Sequence, residues 1–434
     1  MKVALVNPRW TFDGSVYFGC REPHLPLEYG YARALLSRAG HEVALVDGQA
    51  RDLSLGVLRA EVVAFGPDLT VVTTAPSYLF WRCAPPELRA PQEVLAALAG
   101  VPGLKVAVGP HASTTPRAAV RKLGVDAAVL GECEEVLVEL AGTPRARWSE
   151  IPSLACREGE EIRVHGGPRA ADLAALPALR WDDATVAGHA HHHHRFDTTP
   201  VGPGAELEAS RGCPYRCTFC AKENYRDKYR RRPLPVLLDE LDGLLAQGVR
   251  YVYFIDEIFL PDRPLLEALA RREVVFGVQL RIDNWSAEML DLLGAAGCVS
   301  IEAGVESITP EGRSLLHKRC ALSTAELGEL LIHVRKGVPF VQANLLDAET
   351  DDASEVRAFR DHLRGHGVWA NDPVPMFPYP GSPDYTRRWG APDDEAWERA
   401  VAHYLARFDR FSDLQEGRPL PLSALERPPT PTGA

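Results

Sequence analysis

Ser210-Arg-Gly-Cys-Pro-Tyr-Arg-Cys-Thr-Phe-Cys220 is the stretch on which the rest of the chain is read. Its cysteines, Cys213, Cys217 and Cys220, follow the spacing C-x3-C-x2-C. One tight loop of this kind presents three thiolates. A cubane iron–sulfur cluster takes four ligands, so three protein thiolates leave one iron open to another group. Zinc with a distant fourth ligand is the alternative for the same residues, and burial of three small side chains is another. A ferredoxin loop more often brings a fourth cysteine close by. Arg-Gly before the first cysteine, proline after it and an aromatic residue before the last favour the open cluster.

The chain has 434 residues, 46% hydrophobic and 25% charged, as expected of an ordinary globular protein with two or three domains. Its net charge of −11 argues against a nucleic-acid footprint, which needs a clustered basic face. The short run Arg230-Arg-Arg232 reads as a solvated loop. No run of apolar residues is long enough to cross a bilayer, and the N-terminus enters a strand with no signal peptide. Nine cysteines at scattered spacings fit reduced thiols, and hence a cytoplasmic location. Cys20, Cys83, Cys133, Cys156, Cys298 and Cys320 lack ligand spacing and read as buried thiols.

Apolar runs at Lys2–Asn7, Glu42–Asp47, Leu69–Thr74, Lys105–Gly109 and Ala127–Gly131 alternate with helical patterns at Leu27–Ala39, Pro91–Ala99 and Pro116–Leu123. That alternation predicts an α/β, doubly wound, Rossmann-like sheet over residues 1–142. Residues 143–204 read as a hairpin followed by a linker that packs along the next domain. A second alternation predicts six βα units over residues 205–410. Its strands are Ala205–Ser210, Tyr251–Asp256, Gly277–Asp283, Val299–Glu306, Phe340–Leu346 and Pro373–Phe377. Residues 411–434 form a proline-rich tail, expected to be loosely ordered.

The cluster loop closely resembles that of the radical SAM superfamily. Further segments resemble its branch with an N-terminal cobalamin-binding-type domain. In the second half these are Phe254-Ile-Asp-Glu-Ile-Phe259, Ile301-Glu-Ala-Gly-Val-Glu-Ser307 and Phe377-Pro-Tyr-Pro-Gly-Ser-Pro383. In the first half they are Gly40-His-Glu-Val-Ala-Leu-Val-Asp47, Gly109-Pro-His111 and Gly131-Glu132. The resemblance implies a partial (βα)6 barrel. It implies a [4Fe–4S] cluster on Cys213, Cys217 and Cys220, with S-adenosylmethionine (SAM) on the open iron. Reduction of that cluster splits SAM into methionine and a 5′-deoxyadenosyl radical. By the same resemblance Phe219 packs near the adenine, and Glu306 and Ser307 contact the ribose and methionine. Arg281 is read either as a partner of the SAM carboxylate or as an ion pair with Asp283 or Glu302.

Cobalamin is possible but not favoured. No Asp-x-His-x-x-Gly turn supplies an axial histidine, and Arg9, Trp10, Phe12, Tyr17 and Phe18 crowd the loop after the first strand, where they either occupy the volume a corrin needs or form one wall of a substrate pocket. This compact form resembles the radical SAM diol dehydratase class of apramycin biosynthesis, which deoxygenates the aminoglycoside paromamine. Such a lyase needs a base, an acid and a dry cavity. Glu208 and Asp256 are the expected substrate-facing carboxylates, and Tyr379 a proton donor. A flavodoxin- or ferredoxin-type electron donor and an NAD(P)H-dependent reductase are the implied partners. A cobalamin-dependent radical SAM C-methyltransferase is the alternative. A methylthiotransferase would need a second cysteine cluster and a basic RNA-binding module, neither of which is present. The run His191-His-His-His194 reads as a solvated or substrate-lining loop.

Overall fold

The computed structural model describes residues 1–17, 23–76, 84–189, 203–407 and 417–428. The first sheet is built from β1 (Lys2–Asn7), β2 (Glu42–Asp47), β3 (Leu69–Thr73), β4 (Leu104–Val108), β5 (Ala127–Val129), β6 (Leu154–Glu158) and β7 (Glu161–His165). Its order is β2-β1-β3-β4-β5-β6-β7. The first five strands run parallel. Nearly every residue of β1 and all of β3 are buried, as sheets covered by helices on both faces require. The expected hairpin exists, but it is not a separate unit. β6 pairs antiparallel with β5, Ala127 opposite Cys156, and so extends this sheet. Backbone pairing of this kind carries no side-chain signature that sequence could show.

The second sheet comprises β8 (Gly204–Leu207), β11 (Tyr251–Phe254), β12 (Val275–Leu280), β13 (Cys298–Glu306), β14 (Phe340–Leu345) and β15 (Trp369–Ala370). All its pairings are parallel, in the order β15-β14-β13-β12-β11-β8. The outer strands β15 and β8 do not pair, so the barrel stays open. The sixth strand is Trp369–Ala370, upstream of the expected Pro373–Phe377. Pro373 and Pro375 have no amide hydrogen to donate. One bridge, Leu346 to Val374, is all that this stretch contributes. Between β8 and β11 a short ribbon pairs β9 (Ser210–Arg211) with β10 (Arg230–Arg231), and residues 212–229 loop out between its two strands.

Residues 169–189 lie between the two domains, with Leu179 and Trp181 packed on Gly30 of the first. Leu173, Leu176, Leu179 and Trp181 are buried, and the Leu179 amide donates to Glu240 at 2.8 Å. The tail differs from its expectation. Over residues 417–428 it lies on the first domain, with Leu422 and Leu425 buried and the Leu420 amide donating to the Gly14 carbonyl. Glu426 accepts from the Leu88 amide at 3.0 Å and from Lys122 at 2.8 Å. Its leucines supply the burial that composition alone concealed. Leu422→Ala is therefore expected to cost about 2–5 kcal/mol, read as a lower unfolding midpoint in denaturant. An unchanged midpoint would mean that the tail contributes nothing.

Candidate active site

The cluster loop leaves the ribbon at Gly212, whose φ is +77° and where a Cβ would lie 2.1 Å from the Lys228 carbonyl oxygen. Only glycine fits there. Two adjacent carboxylates at the end of β11 hold the approach to the loop. Asp256 accepts from the Ala209 amide at 2.9 Å and from the Ser210 hydroxyl. Glu257 accepts from the Gly212 amide at 2.9 Å. Inside the loop Lys222 donates to the Cys213 carbonyl at 2.7 Å, and the Cys220 amide donates to the Cys217 carbonyl at 3.2 Å. Asn224 packs on Gly381 and donates to the Pro380 carbonyl at 3.4 Å, which gives the Phe377–Pro383 motif its place against the loop.

Cys213, Cys217 and Cys220 are gathered by this loop and all three are half-buried. Burial pushes the Cys213 thiol up to about 11 and the Cys220 thiol up to about 12, and raises Cys217 as well. A donor set of three clustered sulfurs suits an iron–sulfur cluster.

Charged groups from the ends of β12 and β13 surround Cys217. Arg281 makes a bidentate pair with Asp283, at 3.2 and 2.6 Å, and its guanidinium stacks 3.8 Å from the Tyr215 ring. Its Nη1 has no hydrogen-bond partner among the described residues and remains available to a carboxylate. Glu306 pairs with Lys318, which also donates to the Gly304 carbonyl at 2.7 Å. Glu306, His317 and Arg319 all have positive φ, at 61°, 52° and 53°. Such residues cost about 1–3 kcal/mol each and cluster at functional sites. Sequence reading missed Lys318, because no local pattern marks a lysine that is buried only by tertiary packing.

Most of the other residues singled out in sequence are held by packing, hydrogen bonds or ion pairs. Ser307 is fully buried, and its hydroxyl donates to Asp351 at 2.8 Å beside the cap of helix Pro310–Leu315. Glu208 is buried between Arg211 at 2.9 Å and Arg226 at 3.2 Å, where it neutralises cations. Asp256 is spent on the strand-to-loop bonds above, and burial raises its pKa well above the carboxylate range. Tyr379 packs edge-on against Phe377 and Trp397, with ring centroids at 4.7 and 6.4 Å. Arg230-Arg-Arg232 is not a solvated loop. Arg232 is buried against Glu240 at 2.8 Å, and Arg230 pairs with Glu132. Phe219 is half-buried in the loop. Cys133, Cys156 and Cys298 are buried thiols and Cys320 is half-buried. Phe18, Cys20, Cys83 and His191–His194 lie outside the described residues.

At the carboxyl edge of the first sheet, Trp10, Phe12 and Tyr17 are buried, while Arg9 pairs with Asp52. His111 stacks under Trp397 at 4.2 Å and its Nε2 faces the Pro85 carbonyl at 2.8 Å, so that nitrogen carries the hydrogen and cannot bind a metal. Burial lowers its pKa from 6.5 to about 3. His24, from the loop before helix Leu27–Arg38, is held by Glu206 at 3.0 Å. The same edge faces the cluster loop: Glu132, just after β5, accepts from Arg211 at 2.8 Å.

Residues 207–353 match the Radical SAM superfamily. An uncharacterized methyltransferase of Pyrococcus horikoshii is 23% identical over 71% of this chain and 66% of its own length. The anaerobic magnesium-protoporphyrin IX monomethyl ester cyclase of Cereibacter sphaeroides is 26% identical over 82% of this chain and 58% of its own. The chain thus spans less than two thirds of these curated relatives. The radical SAM methyltransferase TsrM from Kitasatospora setae, solved with cobalamin and a [4Fe–4S] cluster, superposes with a TM-score of 0.68 at 21% identity, over 88% of this chain and 76% of that one.

Two outcomes are expected from this geometry. Gly212→Ala should lower the iron bound per chain after anaerobic reconstitution, since the added methyl strikes backbone; wild-type iron content would contradict the strain. Because the folded-state pKa of His111 is depressed, the stability it confers is present above pH 6.5 and is lost as pH falls toward 3. His111→Phe should flatten that part of a denaturant-midpoint profile. With the sulfur triad, the open parallel barrel and the matching residues 207–353, the second half of the chain carries a radical SAM domain, and the chain as a whole shares the two-domain fold of cobalamin-dependent radical SAM enzymes.

Proposed function

We propose that this chain is a cobalamin-dependent radical SAM methyltransferase acting on a small molecule. The observation that carries the reading is the apposition of the two domains. Arg211, two residues before the first cysteine, is bonded to Glu132 at the carboxyl edge of the first sheet. A group held at that edge is within reach of chemistry at the cluster loop, which is what methyl transfer between two cofactors requires. The relatives named as methyltransferases support it. When bound and reduced, the cluster supplies the electron that cleaves SAM. Cys213, Cys217 and Cys220 would hold the cluster. Arg281, through Nη1, would orient the SAM carboxylate, and the Glu306–Lys318 pair would position its polar groups. An electron donor of flavodoxin or ferredoxin type is needed for turnover.

The second reading is radical dehydration of a sugar diol such as that of paromamine. One observation favours it: Trp397 covers His111, and Trp10, Phe12 and Tyr17 fill the first loop. None of the three relatives above is a dehydratase, so methyl transfer takes precedence.

The test uses anaerobic, cluster-loaded protein with SAM, dithionite and paromamine, with and without hydroxocobalamin. Corrinoid bound to the chain, with S-adenosylhomocysteine formed only in its presence, is the expected result. Loss of one water from paromamine with deoxyadenosine as product, whether or not corrinoid is present, would replace methyl transfer by dehydration. Absence of SAM cleavage would overturn both.

A further inference from the structure

We infer that Glu132, a residue of the first domain, is a positioning residue for the iron–sulfur cluster of the second. It reaches the cluster through both roots of the cysteine loop. The loop, residues 212–229, is subtended by the β9–β10 ribbon, in which Arg211 stands directly opposite Arg230. Glu132 bonds both arginines. Its Oε2 accepts from Arg211 Nη1 at 2.8 Å and from Arg230 Nη1 at 3.2 Å, and its Oε1 accepts from Arg230 Nη2. The same Oε2 accepts from the Ala171 amide at 3.0 Å.

Glu132 is itself fixed. Gly131 before it has a φ of +82°, and a Cβ there would lie 2.2 Å from the Arg169 carbonyl oxygen. The Glu132 amide donates to that same oxygen at 2.9 Å, and the Gly131 amide donates to the Ser113 hydroxyl at 2.8 Å. The carboxylate is thus held from its backbone side by the first domain and from its oxygens by the second. It is 1% exposed and Arg211 is 0% exposed, so water does not compete for the bonds. Arg211 is further shared with Glu208 at 2.9 Å and Glu134 at 2.6 Å, so it stays compensated when one partner is removed.

A clamp on both ends of an eighteen-residue loop sets where its three sulfurs stand relative to one another. Groups that orient metal ligands from behind typically change metal retention by about 10–100-fold when lost. The role follows from the superfamily assignment and does not depend on cobalamin.

The test compares wild type, Glu132→Gln and Arg230→Gln after anaerobic reconstitution. Arg230 is partly exposed, so its variant is the more tolerant of the two. Folding is checked by circular dichroism and gel filtration. The readouts are the rate of iron loss to a chelator and the electron paramagnetic resonance spectrum of the reduced cluster. Both variants are expected to fold, to lose iron roughly 10–100-fold faster and to give an altered spectrum. Folded variants with wild-type iron retention and spectrum would overturn the role and leave the network as an interface alone. Should Glu132→Gln fail to fold, Arg230→Gln decides by the same readouts. A wild-type chain that takes up no iron would overturn the cluster assignment as well.

Discussion

Arg211 is a guanidinium with no exposure to water, surrounded by Glu132, Glu134 and Glu208. A buried charge of this kind is tolerable only while its partners remain, and breaking such a pair costs about 3–5 kcal/mol. The partners come from both domains. Arg226 extends the set to Glu208 and Glu257, and Arg232 extends it to Glu240. The consequence is mechanical. Neither domain can shift at this seam without uncovering a charge, and the cluster loop springs from the middle of it.

Around this seam the chain accepts local strain. Gly212 and Gly131 take left-handed conformations against neighbouring backbone. Glu306, His317 and Arg319 do so without being glycine. The last three frame the Glu306–Lys318 pair, close to Cys217. Strain of this kind persists only where surrounding contacts over-determine it. Here those contacts are the parallel barrel beneath and the bonds to Asp256, Glu257 and Asp384 that hold the loop from outside. The C-terminal segment also returns to the first domain. Trp397 on His111, and Glu426 on Lys122 and the Leu88 amide, fasten the two halves at a second place.

Much of this was legible in sequence. Strand residues buried on both faces make continuous apolar runs, so five strands of the first sheet and three of the second fall within a residue or two of their expected limits, while the first and third barrel strands end three residues early. The sulfur triad was equally plain, because three cysteines this close in sequence remain close in any fold. Sequence says less where identity does not fix partnership. Glu208 and Asp256 are carboxylates near the right strand ends, as a catalytic base would be, yet one neutralises two arginines and the other closes a backbone turn. Arg230 to Arg232 has the composition of a solvated run and is partly buried.

Sequence by itself determined the periodicities that make the two parallel sheets, and the loop that gathers Cys213, Cys217 and Cys220. Those depend on neighbours along the chain. Tertiary structure alone decided which charges face one another: that Glu132 meets Arg211 from 79 positions away, and that Lys318 folds back on Glu306. Charge pairing acts through space, over distances that the spacing of residues in a chain does not record.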